Sequence, residues 1–298
     1  MKESEIVTSI IIPNYNRGTM LTEAVESCLE QKNVSVEVII VDDGSTDGSA
    51  DSLALVSPPN IKIIKQSHLG ACAARNRGIH EAKGQFVKFL DSDDKLAPNI
   101  LSFQAEYLIK SQADVVYGDF EMFGNLDDPR VAGLPHRVTG CVDDPVDALL
   151  GDWWCAPFCY MYRREAIGSQ RWAEDLECLQ DFDFILRFAL RGKKFVYQPG
   201  ITGFYRMHQN QITGNSAYRY AVNRCKILER ILDEAANSST LTDKRKFLIA
   251  HGFWTAARTF YRSDEKRFYE AVAKVYDLIP RFWPEFWGIW PVRTLTGL

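Results

Sequence analysis

The chain has 298 residues, of which 46% are hydrophobic, 12% aromatic and 25% charged, and its formal net charge is -4. This length and composition exclude a disordered tail and a disulfide-stapled miniature, and they predict a large globular domain with additions. The slightly acidic balance argues against a general electrostatic binder of nucleic acid. The seven cysteines are scattered through apolar segments, so we expect reduced thiols and a cytoplasmic protein.

The first hundred residues alternate short apolar runs with segments of helical period, the pattern of strand-helix-strand units on a parallel sheet. We expect Thr19 to cap the first helix, because a threonine hydroxyl accepts from exposed N–H groups at a helix start. The expected strands cover residues 7–12, 36–41, 61–64 and 85–90, and the expected helices cover 19–29 and 69–83. These elements predict a Rossmann-like half.

The remaining chain is expected to be less regular. The pattern predicts a helix over 98–111, an extended segment over 114–123, strands over 158–162 and 195–197, and a helix over 181–190. Residues 124–145 are rich in Gly, Pro and Asp and are the expected internal boundary. Helical period then continues from residue 215 to residue 278, after which Pro280, Pro284 and Pro291 interrupt any regular helix.

Two kinds of membrane segment are not expected. The first apolar run covers only residues 10–12, which is too short for a signal peptide. No stretch of about 18 consecutive apolar residues is present, so no helix is expected to span a bilayer. We therefore expect a chain that is soluble or at most peripheral to a membrane.

Polar residues follow three of the predicted strands, at 13–17, 42–48 and 91–94. Loops after parallel strands open on one edge of the sheet, where ligands bind. The carboxylates of Asp91, Asp93 and Asp94 crowd one turn, and like charges this close repel unless a cation lies between them. A divalent ion shared with substrate phosphates explains the cluster, although an isolated Asp-x-Asp is more often a turn or a helix cap.

Other ligand classes fit this edge poorly. A calcium loop beginning at Asp91 would need Glu where Ser102 stands, and one beginning at Asp42 would need it at Leu53. The first loop has no GxGxxG, and neither a Walker A loop nor GxSxG is present. The edge therefore favours a nucleotide whose phosphates are held through a metal ion.

Four sequence blocks carry a family resemblance. They are Ser-Ile-Ile-Ile-Pro-Asn-Tyr-Asn at 9–16, Val-Asp-Asp-Gly-Ser-Thr-Asp at 41–47, Gly70 with Ala-Arg-Asn-x-Gly at 74–78, and Gly-x-Phe-Val-x-Phe-Leu-Asp-Ser-Asp-Asp at 84–94. Their order and spacing resemble the family 2 inverting glycosyltransferases over about residues 6–123, with a weaker match to about 210. The resemblance implies an α/β fold of the GT-A type, a Rossmann-like nucleotide-diphospho-sugar transferase domain with a helical C-terminal extension. It divides the chain into a nucleotide-sugar-binding half at 1–123, an acceptor-binding half at 124–214 and the extension at 215–298.

The resemblance also assigns a donor site. It implies that Tyr15 lies against the nucleobase, that Asp43 accepts a hydrogen bond from the base and that Arg75 helps to hold the nucleotide. Asp91 and Asp93 would contact the ribose and a metal ion, Mn2+ or Mg2+, with Asp93 as the metal ligand. The nucleotide-binding set as a whole is Pro13, Tyr15, Asn16, Asp43, Arg75, Asp91 and Ser92. On residue type alone, Tyr15 would otherwise be a packed turn aromatic and Arg75 a surface cation.

On the acceptor side, the resemblance implies a catalytic carboxylate that opens a helix as Glu-Asp-aromatic-Asp. This chain has Gln180-Asp181-Phe182-Asp183, so Gln replaces the usual Glu while Asp181 keeps the position of the general base. A single inverting displacement needs such a base to take the proton of the acceptor hydroxyl. Asp183 projects from another side of the helix and is expected to be structural.

Two further pairs are candidates for the same site. Arg206 and His208 lie in a Tyr-Arg-Met-His segment that resembles a loop close to the diphosphate, although both also suit an ordinary surface. Trp153 and Trp154 lie where the family lines its acceptor pocket, and such rings suit either a sugar or a core.

The expected function is metal-dependent inverting transfer of a sugar from a nucleotide-diphosphate donor, a UDP-sugar by preference, to a hydroxyl of a saccharide or lipid-linked saccharide. The alternative is a catalytically inactive sugar-nucleotide or glycan-binding module on the same scaffold. A nucleotidyltransferase would need a Gly-rich basic loop after the first strand, which is missing.

The C-terminal segment 279–298 contains Trp283, Trp287 and Trp290 interleaved with prolines. Tryptophan favours the membrane-water interface, so this segment is a candidate for peripheral contact with the inner face of the membrane. With only two flanking arginines to attract anionic lipid, packing on the catalytic domain or in a homo-oligomer is the favoured alternative.

Overall fold

The computed structural model of the chain describes residues 7–54, 59–125, 137–138, 141–208, 216–235 and 240–281. The chain forms two compact units, Met1–Asn215 and Ser216–Leu298. The boundary expected between residues 123 and 124, inside the first unit, stays a prediction. Most of the Gly-, Pro- and Asp-rich stretch that suggested it lies outside the described residues.

The first unit is an α/β structure built on one sheet. Its elements in chain order are β1 (Val7–Asn14), α1 (Thr19–Leu29), β2 (Ser35–Asp42), α2 (Ser49–Ala54), β3 (Ile61–Lys65), α3 (Ala71–Glu81), β4 (Phe86–Phe89), β5 (Lys95–Leu96), α4 (Ile100–Ser111), β6 (Val115–Gly124), β7 (Arg137–Val138), α5 (Pro145–Leu150), a 3-10 turn (Pro157–Cys159), β8 (Met161–Arg163), α6 (Arg164–Ile167), α7 (Gln180–Leu190) and β9 (Phe195–Met207).

The described strands of the sheet follow the order β3-β2-β1-β4-β8-β6-β9-β5, and β7 pairs with β6. The first four are parallel to one another, which confirms the Rossmann-like half. Beyond β4 the sheet is mixed, because β8 runs antiparallel to both β4 and β6. The apolar runs 10–12 in β1 and 38–41 in β2 are fully buried, as expected of strands covered on both faces.

Two packing features position the edge of the sheet that carries the polar loops after β1, β2 and β4. Asn14 pairs with Asp42 in the register of β1 and β2, so the loops after these strands begin side by side. Helix α3 lies close on β1 at Gly78, where a Cβ atom would come within 2.2 Å of Ile11 Cγ2. Only glycine allows this approach, which brings the preceding turn of α3 and its Arg75 over the sheet.

Two sequence predictions of local structure are wrong. The N-cap of α1 is Gly18, with φ 51°, and Thr19 is the first helical residue without a side-chain cap bond. The backbone N–H of Gly18 instead donates to Asp47 in the next loop. The strand predicted over 158–162 begins only at Met161, because Pro157 opens a 3-10 turn before it.

The second unit is helical, which confirms the expected character of the C-terminal part. Its helices are α8 (Ala217–Ala235), α9 (Asp243–Phe260) and α10 (Glu265–Leu278). Thr242 and Asp264 cap α9 and α10 by accepting from the backbone N–H groups of Arg245 and Arg267. None of the helices in the described part of the chain is long and apolar enough to cross a membrane. The tryptophans at 283, 287 and 290 lie outside the described residues.

Candidate active site

The loops after β1 and β2 are joined by hydrogen bonds. The side-chain amide of Asn14 donates to Asp42 Oδ1 over 3.0 Å. The backbone N–H of Asn16 donates to Ser45 Oγ over 3.0 Å, and Asn16 Oδ1 accepts from the N–H of Thr46 over 2.8 Å. Asn16 therefore ties the two loops together from a left-handed conformation with φ 50°, which asparagine tolerates well. Pro13 is buried in β1 just before this junction.

An exposed aromatic pair lies on the same edge. The ring of Tyr15 is 42% exposed and stacks on the ring of His68, with centroids 4.0 Å apart and planes 25° from parallel. Tyr15 is therefore an open surface ring and not a packed turn residue. His68 was missed from the sequence because it lies on the loop after β3, which carried no motif of its own before Gly70.

Asp43 is buried below this pair and holds the loop after β3. Its Oδ1 accepts from Gln66 Nε2 over 2.7 Å and from the N–H of Leu69 over 2.8 Å. Its Oδ2 accepts from the N–H of Gly70 over 2.8 Å and lies 2.9 Å from His68 Nδ1. The structure thus gives Asp43 partners within the chain, and its contact with a nucleobase stays a prediction.

Arg75 is buried and joins two parts of the site. Its Nη2 donates to Asp91 Oδ1 over 2.6 Å, and its Nη1 donates to Gln180 Oε1 over 3.1 Å. The guanidinium also lies over the ring of Trp172, 4.4 Å from the centroid. Arg75 is therefore not a surface cation, and Gln180, at the position where glutamate was expected, keeps a bond to it.

Asp93 lies between an arginine and a histidine side chain. Its Oδ2 is 3.2 Å from Arg17 Nε and 3.0 Å from His208 Nε2. Burial alone would raise the pKa of Asp93, but the hydrogen bond from His208 and the charge of Arg17 hold this pKa below its usual value. The structure thus brings His208 to the carboxylate turn, and its part at the diphosphate stays a prediction.

Asp94 and Arg206 stabilise the turn that contains Asp93. Asp94 is buried, and its Oδ1 accepts from the backbone N–H of Arg206 over 2.8 Å. Burial and the nearby charges of Asp93 and Asp91 raise the pKa of Asp94 well above its usual value. Arg206 Nε donates to the carbonyl oxygen of Asp93 over 2.7 Å, and its Nη2 pairs with Glu23 over 2.8 Å. These contacts give Arg206 a structural part in the turn, where Ser92 is also buried.

The side chains of this turn can hold a metal ion only if a bound substrate supplies further ligands. Among the described residues, no group of three or more His, Cys, Asp or Glu side chains converges on one point. Asp93 and His208 nevertheless place a carboxylate and an imidazole together, and Asp94 Oδ2 is buried without a hydrogen-bond partner. Mg2+ and similar ions are commonly held by one or two carboxylates together with substrate phosphates. The chemistry of these donors therefore suits an ion shared with a diphosphate.

Asp181 lies in the first turn of α7, and its Oδ2 accepts a hydrogen bond from the indole N–H of Trp154. Burial raises the pKa of Asp181, against the effects of the Trp154 hydrogen bond and the charge of Arg75. A carboxylate with a raised pKa is a stronger proton acceptor, which suits a general base. Trp153, which precedes Trp154 in the chain, packs edge-to-face on Tyr117 with ring centroids 5.7 Å apart.

Asp183 has a different environment from Asp181. It is fully buried, and its Oδ2 accepts from Arg187 Nε over 3.0 Å and from Arg187 Nη2. Arg187 Nη2 also donates to the carbonyl oxygen of Arg171 over 2.7 Å. Asp183 therefore anchors α7 in the interior, as the sequence predicted.

We expect Asp183→Ala to destabilise the first unit by about 3–5 kcal/mol, because it leaves Arg187 as an uncompensated buried charge. The measurement is urea unfolding followed by far-UV circular dichroism. The control is Asp51→Ala, since Asp51 pairs with Lys65 at the surface and its loss is expected to change the stability little. Equal stabilities of the two variants would contradict a structural role for Asp183.

Comparison with known proteins agrees with the fold. The model of the family described as "Glycosyl transferase family 2" matches residues 9–169. Glycosyltransferase GlyG of Streptococcus pneumoniae serotype 4 is 35% identical over 226 residues, which cover 70% of this chain and 73% of that protein. The chain belongs to glycosyltransferase family 2.

Two further relatives show how far the likeness extends. WfgD of Escherichia coli, named a UDP-Glc:alpha-D-GlcNAc-diphosphoundecaprenol beta-1,3-glucosyltransferase, is 28% identical over 52% of this chain and 66% of its own length. The structure of S. aureus TarS 1-349 in complex with UDP-GlcNAc has a TM-score of 0.60 at 18% identity, over 91% of this chain and 88% of that one. The chain spans about half of the longer TarS structure, 49%. These matches confirm the GT-A type of fold for this family 2 glycosyltransferase.

Proposed function

We propose that this family 2 glycosyltransferase transfers a hexosyl group with inversion from a UDP-sugar to a hydroxyl of a saccharide or lipid-linked saccharide. The observation that carries the proposal is the double contact of Arg75. One guanidinium nitrogen bonds Asp91 at the end of β4, and the other bonds Gln180, next to Asp181. Arg75 thus links the candidate donor carboxylate Asp91 to the residue before the candidate base, and its charge also acts on Asp181.

In the proposed reaction, Asp181 accepts the proton of the acceptor hydroxyl as its oxygen forms a bond to the anomeric carbon. The bond from that carbon to the diphosphate oxygen breaks at the same time, and UDP leaves on the opposite face of the sugar. Inversion follows from this single displacement. Arg17, which pairs with Asp93, supplies positive charge where the leaving diphosphate gains negative charge, and His208 lies on the same carboxylate.

The donor and acceptor classes rest on different supports. Tyr15 offers an exposed ring for a base, and a UDP-sugar is the donor in the name of WfgD and in the TarS complex. The name of WfgD also contains a lipid-linked saccharide acceptor. Trp153 and Trp154 lie before the helix of Asp181 in the part of the chain proposed to bind the acceptor.

We propose that Mn2+ or Mg2+ takes part through Asp93, with His208 beside it. The ion would neutralise charge on the diphosphate of the bound donor and so stabilise the leaving group. Asp93 and His208 are in contact in the turn after β4. Arg206 fixes the backbone of this turn by donating to the carbonyl oxygen of Asp93.

The direct test is UDP release from UDP-Glc, UDP-GlcNAc and UDP-Gal, with and without MnCl2, in the presence of GlcNAc-diphosphoundecaprenol or free GlcNAc. We expect one donor to give metal-dependent UDP release that the acceptor accelerates. Binding of UDP by calorimetry with no turnover of any donor would favour the alternative, an inactive sugar-nucleotide or glycan-binding module.

The distribution of charge supports a membrane partner for the second unit. Residues 216–298 carry 14 basic and 9 acidic side chains, a formal charge of +5, whereas residues 1–215 carry 21 and 30, a charge of -9. Among its described residues, the second unit also exposes five large aromatic side chains: Tyr218, Tyr220, Phe247, Tyr261 and Tyr269. Basic charge with exposed aromatic rings is the chemistry that binds an anionic lipid surface. We propose that this unit, with segment 279–298, contacts the membrane that holds a lipid-linked acceptor.

We expect the full chain to co-sediment with vesicles of phosphatidylglycerol and phosphatidylcholine, and not with phosphatidylcholine alone, because the attraction is partly electrostatic. A chain that ends at residue 279 is expected to bind more weakly at unchanged thermal stability. A full chain that stays in the supernatant would contradict the membrane role. In that case, a destabilised truncation would assign the segment to packing, and a change of oligomeric state by light scattering would assign it to a subunit contact.

A further inference from the structure

The indole of Trp154 is held rigidly beside Asp181. Its ring packs edge-to-face against Phe120, with centroids 5.3 Å apart, and against Tyr205, with centroids 5.4 Å apart. Phe120 lies on β6 and Tyr205 on β9, which pair directly in the sheet. The ring is therefore fixed by two strands, and its only polar group, the Nε1–H, donates to Asp181 Oδ2.

This contact has two chemical consequences for a carboxylate that must accept a proton. An indole N–H donates only and carries no charge, so it stabilises the carboxylate form without competing for the proton. A donor on Oδ2 also limits rotation of the carboxylate, whose ionised form is stabilised as well by a backbone hydrogen bond from Phe182. A ring locked between Phe120 and Tyr205 can impose this orientation, because the ring itself has little freedom to move.

Few of the other titratable groups around Asp181 change their charge at acidic pH. Arg75 on α3 and Asp91 at the end of β4 are the charged groups whose fields act on it. Burial raises the pKa of Cys72 to about 12 and raises the pKa values of Tyr160, Tyr162 and Tyr205, so these four groups are neutral near pH 7. Asp183, two residues further along the same helix, is paired with Arg187.

We propose that Trp154 is a positioning residue for acceptor activation, whose indole N–H orients the Asp181 carboxylate and stabilises its ionised form. The inference rests on the proposed function, because it assumes that Asp181 is the general base. It differs from a role in stacking on the acceptor sugar, since the edge contacts with Phe120 and Tyr205 and the bond to Asp181 already engage the ring.

The test in solution compares Trp154→Phe with the wild type. Phenylalanine keeps an aromatic ring against Phe120 and Tyr205 but removes the N–H. Loss of a hydrogen bond to a charged group raises the pKa of Asp181, so we expect the acidic limb of kcat to move up by about one pH unit. The value of kcat on the plateau is expected to fall, with KM for the UDP-sugar unchanged, because donor contacts are kept. An acidic limb that does not move, with kcat lowered equally at every pH, would overturn the proposal and leave Trp154 a packing role.

A second readout does not depend on turnover. In 15N-labelled full-length protein, the indole N–H resonance that disappears in Trp154→Phe is expected to titrate with pH in a single acidic transition. That transition should be absent in Asp181→Asn, which carries no charge. If the resonance is insensitive to the Asp181→Asn substitution, the proposed contact is wrong whatever the activity shows.

The matched control is Trp254→Phe, which removes a buried indole from α9 in the second unit. We expect it to leave the position of the acidic limb and the Trp154 resonance unchanged. If no donor is turned over by the wild type, the proposed function fails, while the resonance experiment still decides whether Trp154 binds the Asp181 carboxylate.

Discussion

Asp181→Asn is expected to lower the rate of sugar transfer by roughly 10²-fold or more while leaving the affinity for UDP within about twofold of the wild type. The amide is close in shape to the carboxylate, so Trp154 keeps a partner oxygen and α7 keeps its start. What is lost is the group that accepts the proton of the acceptor hydroxyl. The measurement is steady-state UDP release with acceptor, together with calorimetric binding of UDP.

The comparison variant for this experiment is Asp183→Asn, two residues further along α7. Its carboxylate is fully buried and bound by Arg187, so it does not contact a substrate. We expect lower stability with a rate per folded molecule close to that of the wild type. A near-normal rate for Asp181→Asn would show that Asp181 is not the general base. A large loss of rate in Asp183→Asn at full stability would assign that role to Asp183.

The parallel half of the fold was predictable from sequence because its signals are local. The strands predicted over 36–41 and 61–64 lie within β2 and β3, and the helix predicted over 181–190 differs from α7 by one residue. Each of these segments carries its own β-branched run or amphipathic period, so no distant contact is needed to recognise it. The neighbouring loops after β1 and β2 follow from the same strands, and the hydrogen bonds of Asn16 join them.

The elements missed from sequence depend on distant partners. The strand predicted over 195–197 continues to Met207 through Pro199 and Gly200, because β6 pairs with it along most of its length across two register shifts. A proline and a glycine within a short window argue against a strand, and only tertiary pairing overrides them. The short elements α2 and β5 are similarly too brief to show a period.

In the site itself, residue types were predictable but partners were not. The bond from Arg75 to Gln180 joins residues 105 positions apart, and that from Trp154 to Asp181 joins residues 27 apart on different elements. Such pairs depend on helix rotation and strand register, which a single sequence does not encode locally. The four hydrogen-bond partners of Asp43 are a further example, because they arise from the path of the loop after β3.

Asp93→Asn is expected to remove most of the Mn2+ dependence of UDP binding. In the wild type, calorimetry should show tighter UDP binding in MnCl2 than in EDTA, because an ion that links Asp93 to the diphosphate adds to the affinity. In the variant, UDP affinity in MnCl2 should fall by roughly 10–100-fold, towards the value in EDTA. Binding in EDTA does not involve the ion, so the UDP affinity in EDTA should change little between the wild type and the variant.

Loss of a metal ligand must be distinguished from a distortion of the turn that contains Asp93. Asp51→Asn, which neutralises an exposed carboxylate on α2, controls for the change in net charge. Thermal unfolding of both variants without ligand controls for the turn, since the backbone carbonyl of Asp93 still accepts from Arg206. Equal UDP affinity in the wild type and Asp93→Asn, with or without chelator, would exclude Asp93 as the metal ligand. A preserved metal effect would then point to another donor, and Asp91 and Asp94 Oδ2 are the remaining carboxylate candidates in this turn.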